Sequence, residues 1–330
     1  MSQKYIVEKY FQTLSKTATP AAVMAPHLAD NFVWHGPQPF QSCHSFDQWL
    51  ASFWRPLTEA FSGLRRDTHI LIGGDSQGKV NNTIDGRCWV GATGYFNATF
   101  KRTWLGFEPT DQSIRLRWGE FFRFENNLIV EHYTLLDIVD WLQQIGKNPL
   151  PPSRGVDFLY PPPSPLADPM LGDSNTTETA TSMRLIRSFL FDGLNNFDQQ
   201  NLSSMAIDDF FHRDLKWYGP GGIGACLSLE EFQKYHQKPW LAAYPDRKVQ
   251  DLDSLFADGR FAAASGWAGV KAKHQGCYLS TEATGNTIDF NGMDFWLRRD
   301  DKFIENWVFV DMIDVFRQLG IDLLQQARNR

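Results

Sequence analysis

The last strand-like segment of the chain, FIENWVFVD at 303–311, carries two acids and a tryptophan close together. Side chains in a strand alternate between its two faces, so Glu305, Trp307 and Asp311 share one face. If Trp307 points into the protein, Asp311 does so too, and desolvation would raise the pKa of its carboxyl group. An acid tuned in this way suits general acid/base catalysis.

Two preceding segments supply further polar and aromatic side chains. Asp294 and Trp296 share a face of one predicted strand, and His274 and Tyr278 share a face of the strand before it. A histidine, two aspartates and an aromatic wall suit proton abstraction next to a carbonyl, which needs no metal or nucleotide. We therefore predict Asp311, His274 and Asp294 as catalytic residues. The predicted ligand-binding residues are Tyr218, Trp217, Tyr278, Trp296, Trp307 and Glu305.

Each of these residues also has a purely structural interpretation. Asp311 precedes a helical pattern, and its carboxylate is suited to accept backbone N–H groups as an N-cap. Glu305 is compatible with an ion pair on the outer face of a sheet, and His274 with a hydrogen-bonded structural role. The tryptophans fill a core as readily as they line a pocket.

The chain contains an internal repeat. Residues 128–146 (LIVEHYTLLDIVDWLQQIG) match residues 302–320 (KFIENWVFVDMIDVFRQLG) at an offset of 174, and WHGP at 34–37 matches WYGP at 217–220 at an offset of 183. The change of offset places extra residues in the first copy, near the Gly- and Asn-rich run 73–82, which predicts a longer loop. The equivalent site candidates of the first copy are His35, Glu120, Tyr133 and Asp137.

Both copies begin with helical patterns and continue into strand patterns. Capping boxes at 45–48 (SFDQ) and 228–231 (SLEE) predict the start of a helix in each copy, and Pro56 and Pro239 are expected to kink or end it. Three later runs in each copy are rich in β-branched and aromatic residues. We predict an α+β fold of two tandem cone-shaped barrels, each a curved, mostly antiparallel sheet wrapped around N-terminal helices.

The repeat divides the chain into a diverged first copy at 1–148 and a second copy at 179–330. Residues 149–178 between them are rich in proline and serine and lack periodicity, which predicts a semi-extended linker. Phe158 and Tyr160 lie in this segment and are suited to fix it on a domain surface. Two copies of one domain in a single chain are suited to pair as the subunits of a homodimer do, so we predict a monomer acting as a pseudo-dimer, or a homodimer.

Composition and charge argue against several classes of function. The net charge of −6 and the lack of a long basic run argue against a nucleic-acid partner. The first ten residues, MSQKYIVEKY, lack the apolar stretch of a signal peptide, and no run is long enough to span a bilayer, which predicts a cytoplasmic protein without a membrane partner. The four cysteines form no C-x-x-C pair and no histidines cluster at zinc spacing, so we predict no metal and no cofactor.

Several short motifs of the second copy occur in a fixed order. They are H-x-G-x-Y-L at 274–279, A-T-G at 283–285, G-x-D-F-W at 292–296, I-E-N-W at 304–307 followed by Asp311, and Q-L-G at 318–320. In this order they resemble the SnoaL-like polyketide cyclase family of the nuclear transport factor 2-like superfamily. The first copy resembles it more weakly, since Phe100 replaces His274 and Glu120 replaces Asp294.

The resemblance implies a conical sheet around a deep, mostly apolar cavity, in proteins that include cofactor-free cyclases, isomerases and hydrolases. We therefore expect an enzyme of cyclase, isomerase or hydrolase type that acts by general acid/base catalysis on a small apolar or polyketide-like carbonyl compound. The alternative is a small-molecule-binding or scaffold protein without catalysis, in which one copy serves as a built-in partner for the other.

Overall fold

The computed structural model describes residues 2–16, 20–164, 175–198 and 201–330. Each half of the chain forms helices followed by a sheet, so the predicted α+β class is confirmed. The helices of the first half are α1 (Gln3–Lys16), α2 (Pro20–Met24), α3 (Phe46–Trp49), α4 (Arg55–Ala60) and α5 (Ile138–Gln144). Its strands are β1 (Leu28–His35), β2 (Phe61–Asp75), β3 (Cys88–Phe100), β4 (Ser113–Glu125) and β5 (Leu128–Leu136).

The second half repeats this order and adds several short helices and strands. Its helices are α6 (Thr176–Arg187), α7 (Ile207–Phe210), α8 (Leu229–Glu231), α9 (Lys238–Ala243), α10 (Met312–Gln318) and α11 (Leu323–Arg328). Its strands are β6 (Phe211–Tyr218), β7 (Ala225–Cys226), β8 (Lys248–Val249), β9 (Ser254–Asp258), β10 (Phe261–Lys273), β11 (Thr287–Arg299) and β12 (Lys302–Val310). None of the described helices is long and apolar enough to cross a membrane.

The two sheets share one topology. In the first the strand order is β1-β5-β4-β3-β2, and in the second it is β7-β6-β12-β11-β10-β8, with β9 also paired to β10. The β1–β5 and β6–β12 pairs are parallel, and the other pairs are antiparallel. Both sheets are open, so the cone-like shape does not extend to a closed barrel.

The predicted capping boxes open the helical segment that follows the first strand of each half. Ser45 accepts a hydrogen bond from the backbone N–H of Gln48, and Ser228 accepts one from Glu231. Pro56 and Pro239 do not end these segments, because α4 and α9 continue beyond them. A π-helical turn precedes each proline, at Leu50–Trp54 and Phe232–Gln237, and it shifts the backbone hydrogen bonding at the place where proline has no N–H to donate.

The faces of the two sheets that point away from the helices pack against each other. Phe121 and Phe295 are aligned residues of the two copies, and their ring centroids lie 5.2 Å apart. Arg117 of the first half donates to the Val308 carbonyl of the second and pairs with Asp137 at 3.1 Å. The halves therefore meet through equivalent surfaces, as the subunits of an isologous dimer do.

Two aligned aspartates make matching contacts between the halves. Asp137 caps α5 and accepts a hydrogen bond from the Gly221 N–H at 3.0 Å. Asp311 caps α10 and accepts one from the Gln38 N–H at 2.8 Å. Gln38 and Gly221 are themselves aligned at the offset of 183. The position kept in both copies thus holds each half to the other.

The linker and the longer loop of the first half both contact the second half. Val156 pairs with Ala225 of β7, and the buried Tyr160 donates to the Gly219 carbonyl, whereas Phe158 is exposed. Residues 165–174 of the linker lie outside the described residues, and α6 begins within its predicted span. The predicted loop begins later than expected and covers 76–87, where the Gln77 N–H donates to the Leu255 carbonyl.

Candidate functional site

A cavity of about 180 Å³ lies between the sheet of the second half and its helices. Strands β6, β10, β11 and β12 form its floor, and the π-helical turn Phe232–Gln237 and α9 form one wall. Its lining is predominantly apolar and aromatic. About 150 Å³ accommodates a benzene-sized ligand, so the cavity has room for a small organic molecule.

The floor of the cavity carries the polar groups in a regular order. Trp217, Asn306 and Trp296 are directly opposite one another on β6, β12 and β11, so their side chains share the cavity face. Asp294 lies two residues before Trp296 and projects from the same face. All four residues line the cavity.

Asp294 is the acid of the cavity. It is partly buried and lines the cavity, and its Oδ1 accepts a hydrogen bond from Asn306 Nδ2 at 3.3 Å. Burial raises the pKa of the Asp294 carboxyl to about 7, although the hydrogen bond from Asn306 and the charge of Arg117 partly oppose this. An acid with this pKa both accepts and donates a proton near neutral pH.

The helical wall contributes a histidine between two tryptophans. The His236 ring stacks on Trp217 at 4.2 Å and on Trp240 at 5.8 Å. Burial, and secondly the charge of Arg247, lower the pKa of His236 to about 3, so the imidazole is neutral at physiological pH. His236 therefore contributes a neutral imidazole, stacked on two tryptophans, to the cavity wall.

The corresponding space in the first half is filled by aromatic side chains. Trp49 stacks on Trp54 with ring centroids 5.7 Å apart, Trp54 contacts Phe96 at 6.0 Å, and Phe96 contacts Trp118 at 5.7 Å. At the aligned positions the second half has Phe232, Gln237, Val270 and Gly292, all of which line the cavity. The smaller side chains at these four positions open the space that the first half fills.

A break in the strand pairing lies in the same region. Between Gly266 and Val270 the β10–β11 register shifts, and the bulge includes Ala268 with φ +65°. The equivalent β3–β4 ladder is continuous from Cys88 to Thr99. The bulge therefore belongs to the half that has the cavity.

The first half also neutralises its buried acid internally. Glu120, which aligns with Asp294, accepts hydrogen bonds from Arg66 at 2.9 and 3.2 Å and lies 3.7 Å from His132. Burial alone would raise the pKa of Glu120, but Arg66 and His132 outweigh it and hold the pKa below its usual value. The Glu120 carboxylate therefore forms an ion pair with Arg66 inside a filled core.

The structure corrects the predicted orientation of the last strand. Glu305, Trp307 and Asp311 do share a face, but the cavity is lined by Asn306, Val308 and Val310 on the opposite face. Linker residues cover the first face: Trp307 Nε1 donates to the Pro161 carbonyl, and Glu305 accepts from the Ser164 N–H. Asp311 is engaged by Gln38 and by the start of α10, as described above.

Tyr218 and His274 also lie outside the cavity lining. The Tyr218 ring packs between Tyr160 and Trp307, on the side of the sheet covered by the linker. His274 packs against Tyr244, and its Nδ1 is hydrogen-bonded within the loop that contains Thr284. Of the predicted residues, the cavity brings together Asp294, Trp217, Tyr278 and Trp296.

The remaining first-half candidates lie between the two halves. His35 stacks on Tyr133 at 4.4 Å, and both rings face Trp267 of the second half. Asp137 forms the interdomain contacts already described. These three residues lie at the domain interface, and Glu120 lies in the filled core.

Sequence reasoning missed His236, Arg247 and Asn306 as cavity residues. Arg247 lies in the segment between α9 and β8 and has 2% of its surface exposed. A usable signal was present in the repeat, because residues that are large in one copy and small in the other lie on the walls of the cavity.

The amino-acid sequence matches two family models, one in each half. The model described as SnoaL-like domain covers residues 7–132, and the model described as SnoaL-like polyketide cyclase covers residues 189–319. No curated protein matches the chain.

Solved structures of similar fold align with part of the chain. A SnoaL-like protein from Jannaschia sp. CCS1 has 12% identity and a TM-score of 0.39, over 45% of this chain and 98% of its own. An NTF2-like protein from Burkholderia thailandensis has 21% identity and a TM-score of 0.34, over 44% and 98%. A SnoaL-like polyketide cyclase from Agrobacterium tumefaciens has 18% identity and a TM-score of 0.32, over 42% and 98%.

Proposed function

We propose that this chain, which belongs to the SnoaL-like family and carries two of its domains in tandem, binds a small apolar carbonyl compound in the cavity of its second domain and transfers a proton on it. Asp294 is the general acid/base. The observation that carries the proposal is the position of Asp294, a carboxyl group with a pKa of about 7, in the floor of a predominantly apolar cavity.

A residue of the cavity lining is also a candidate donor for the charge that develops on the ligand. Trp296 Nε1 is buried and has no hydrogen-bond acceptor among the described residues, and Trp296 lies two residues from Asp294 on the same face. An N–H group without a partner costs free energy when it is buried, unless a ligand oxygen accepts from it. Trp296 is thus suited to donate to an enolate oxygen.

The reaction follows from these groups. The Asp294 carboxylate takes a proton from the carbon next to the carbonyl, and the C–H electron pair moves into an enolate whose oxygen accepts from Trp296 Nε1. In a cyclisation, the enolate carbon then attacks a second carbonyl of the same molecule, and the oxygen of that carbonyl takes the proton back from Asp294. In an isomerisation, the proton returns to a different carbon.

The first domain serves as the structural partner in this proposal. Its interior is filled and its buried acid is paired with Arg66. It covers the outer face of the second sheet through contacts such as Arg117 with the Val308 carbonyl. The second domain thereby gains a rigid support behind the strands that hold Asp294 and Asn306.

The test uses 2-tetralone, an apolar ketone with acidic α-protons, as the probe. We expect the protein to accelerate α-proton exchange in D₂O, followed by NMR, and Asp294→Asn to lower the rate to that of buffer. Asp289→Asn is the matched control, because Asp289 lies on the same strand outside the cavity lining. Equal exchange rates for wild type and folded Asp294→Asn would remove Asp294 from the mechanism. Binding of 2-tetralone without accelerated exchange would instead support a binding module without catalysis.

A further inference from the structure

Arg247 is a buried cation in the wall of the cavity. Its Nη1 donates to the Leu194 carbonyl at 2.9 Å, and its Nη2 lies 2.7 Å from Met205 Sδ. Its Nε is buried and has no acceptor within the described part of the chain. Burial lowers the pKa of Arg247 to about 10, which leaves the guanidinium charged at neutral pH.

The other deeply buried arginines each have a carboxylate partner. Arg66 pairs with Glu120, Arg117 with Asp137, and Arg298 with Glu178. For Arg247, no carboxylate of residues 2–16, 20–164, 175–198 or 201–330 lies within 4.0 Å. Leaving a charge buried without a counter-charge costs free energy. The contrast therefore indicates that a ligand supplies the anionic partner of Arg247.

The contrast between the two halves identifies where that partner comes from. In the first half the buried cation and the buried acid, Arg66 and Glu120, neutralise each other in a filled core. In the second half Asp294 and Arg247 both line the cavity but form no ion pair with each other. The acid therefore has no cationic partner, and the cation has no carboxylate partner, among the residues that the structure describes.

The surroundings of Arg247 describe the rest of such a ligand. The guanidinium lies 5.1 Å from the centroid of the Trp240 ring, which in turn stacks on His236. Next to the cation the wall is therefore aromatic and flat. A planar carboxylate on an aromatic or unsaturated body matches both features, because guanidinium and carboxylate form charge-assisted hydrogen bonds.

We infer that the natural ligand is an organic acid whose carboxylate pairs with Arg247 and whose apolar body extends along Trp240 and His236 toward Asp294. This inference rests on the proposed function, because it names the substrate class of the same cavity. It places the acidic C–H of the substrate and its carboxylate at different ends of one molecule.

The test compares two probes of nearly equal shape, 2-naphthoate and the neutral 2-naphthamide. We expect isothermal titration calorimetry on the whole chain at pH 7 to show that 2-naphthoate binds about tenfold or more tightly, and that Arg247→Met removes this preference. Arg247→Lys keeps the charge and should keep part of it. Because the comparison of the two probes on the wild-type protein needs no variant, it decides the inference even if Arg247→Met does not fold.

The outcomes separate this inference from the proposed function. If the amide binds as well as the naphthoate, the anion assignment is overturned and the cavity remains a binding site for neutral compounds. If neither probe binds at millimolar concentration while 2-tetralone exchange is accelerated, the carboxylate class is overturned and the proton-transfer function stands. If 2-naphthoate shows no tighter binding and 2-tetralone exchange is not accelerated, both the carboxylate class and the proton-transfer function are overturned.

Discussion

At the scale of single residues, the proposed activity of the cavity depends on the protonation of Asp294. Its neighbours do not titrate in the same range: Asn306 carries no charge, His236 remains neutral above about pH 3, and Arg247 remains charged up to about pH 10. Burial raises the pKa of Tyr278 further above its already alkaline value. Burial also raises the pKa of Asp311 and of Asp140, which lie outside the cavity lining, to about 7, so the assignment of a rate change near neutral pH to Asp294 requires its loss in Asp294→Asn.

The pH dependence of exchange provides the first prediction. Because proton abstraction needs the carboxylate, we expect the rate of 2-tetralone exchange above the buffer rate to rise with pH through an apparent pKa near 7 and then to level off. NMR exchange rates measured from pH 5 to 9 give this profile. A flat profile over this range, for a protein that does accelerate exchange, would contradict the assignment of Asp294.

The free energy of unfolding should also depend on pH through the titration of Asp294. The folded-state pKa of Asp294, about 7, lies above the usual value of 3.8, so its neutral form favours the folded state. This contribution is complete below about pH 4 and is lost as the pH rises through about 7. We expect Asp294→Asn to match the wild type at pH 4 and to exceed it at pH 9 by on the order of a few kcal/mol in urea unfolding. Equal stability of the two proteins at pH 9 would contradict the raised pKa.

At the scale of the elements, the repeat made the order of helices and strands predictable. The capping boxes and the family motifs indicated the elements, and Asp294 was found because its strand carries Trp296 on the same face. The orientation of β12 could not be predicted, because both of its faces are buried: one by the cavity helices, the other by the linker and the first half. For such a strand, alternation shows which residues share a face, and it does not show which face is the inner one.

Strand β11 offers a direct test of how the cavity arises. A Cβ atom added at Gly292 would have one neighbour within 4 Å outside its adjacent residues, the Phe309 carbonyl oxygen at 3.2 Å. We expect Gly292→Trp, which introduces the residue found at the aligned position 118, to abolish binding of 2-tetralone and 2-naphthoate while the protein stays folded. Calorimetry and near-UV circular dichroism would check both parts, and retained binding would show that the ligand lies elsewhere.

The reciprocal change should act on stability alone. Trp118→Ala removes one of the four rings that fill the first half, and large-to-small changes of this kind cost about 3–5 kcal/mol. Urea unfolding would measure this loss. Since Trp118 lies in the filled half, the exchange rate per folded molecule should not change, and a large drop in that rate would argue that the first half takes part in catalysis.

At the scale of the whole molecule, the two halves share buried polar contacts and should unfold together. Arg117 binds the Val308 carbonyl and Asp137, and Asp137 in turn binds the Gly221 N–H. These contacts cross from one half to the other within a region that excludes water. Neither half buries these groups when it is alone.

Removing one partner of this buried pair should destabilise both halves. We expect Asp137→Asn to leave the Arg117 charge without its carboxylate and to cost about 3–5 kcal/mol. Urea unfolding should remain a single transition, because loss of the interface exposes both sheets. Glu125→Gln is a control, since Glu125 is an exposed acid of the first half. Two separate transitions in the wild-type protein would contradict the coupling.

The contacts of Asp137 with Gly221 and of Asp311 with Gln38 match those of a symmetric dimer, although the interiors of the two halves differ. In a dimer of identical subunits, every substitution occurs in both subunits, so a substitution that fills one cavity also fills the equivalent cavity of the other subunit. Joining both copies in one polypeptide removes that constraint, so one half can have a filled core while the other half keeps a cavity. Covalent fusion thus allows two copies of one domain to differ, so that one is a structural support and the other contains the cavity.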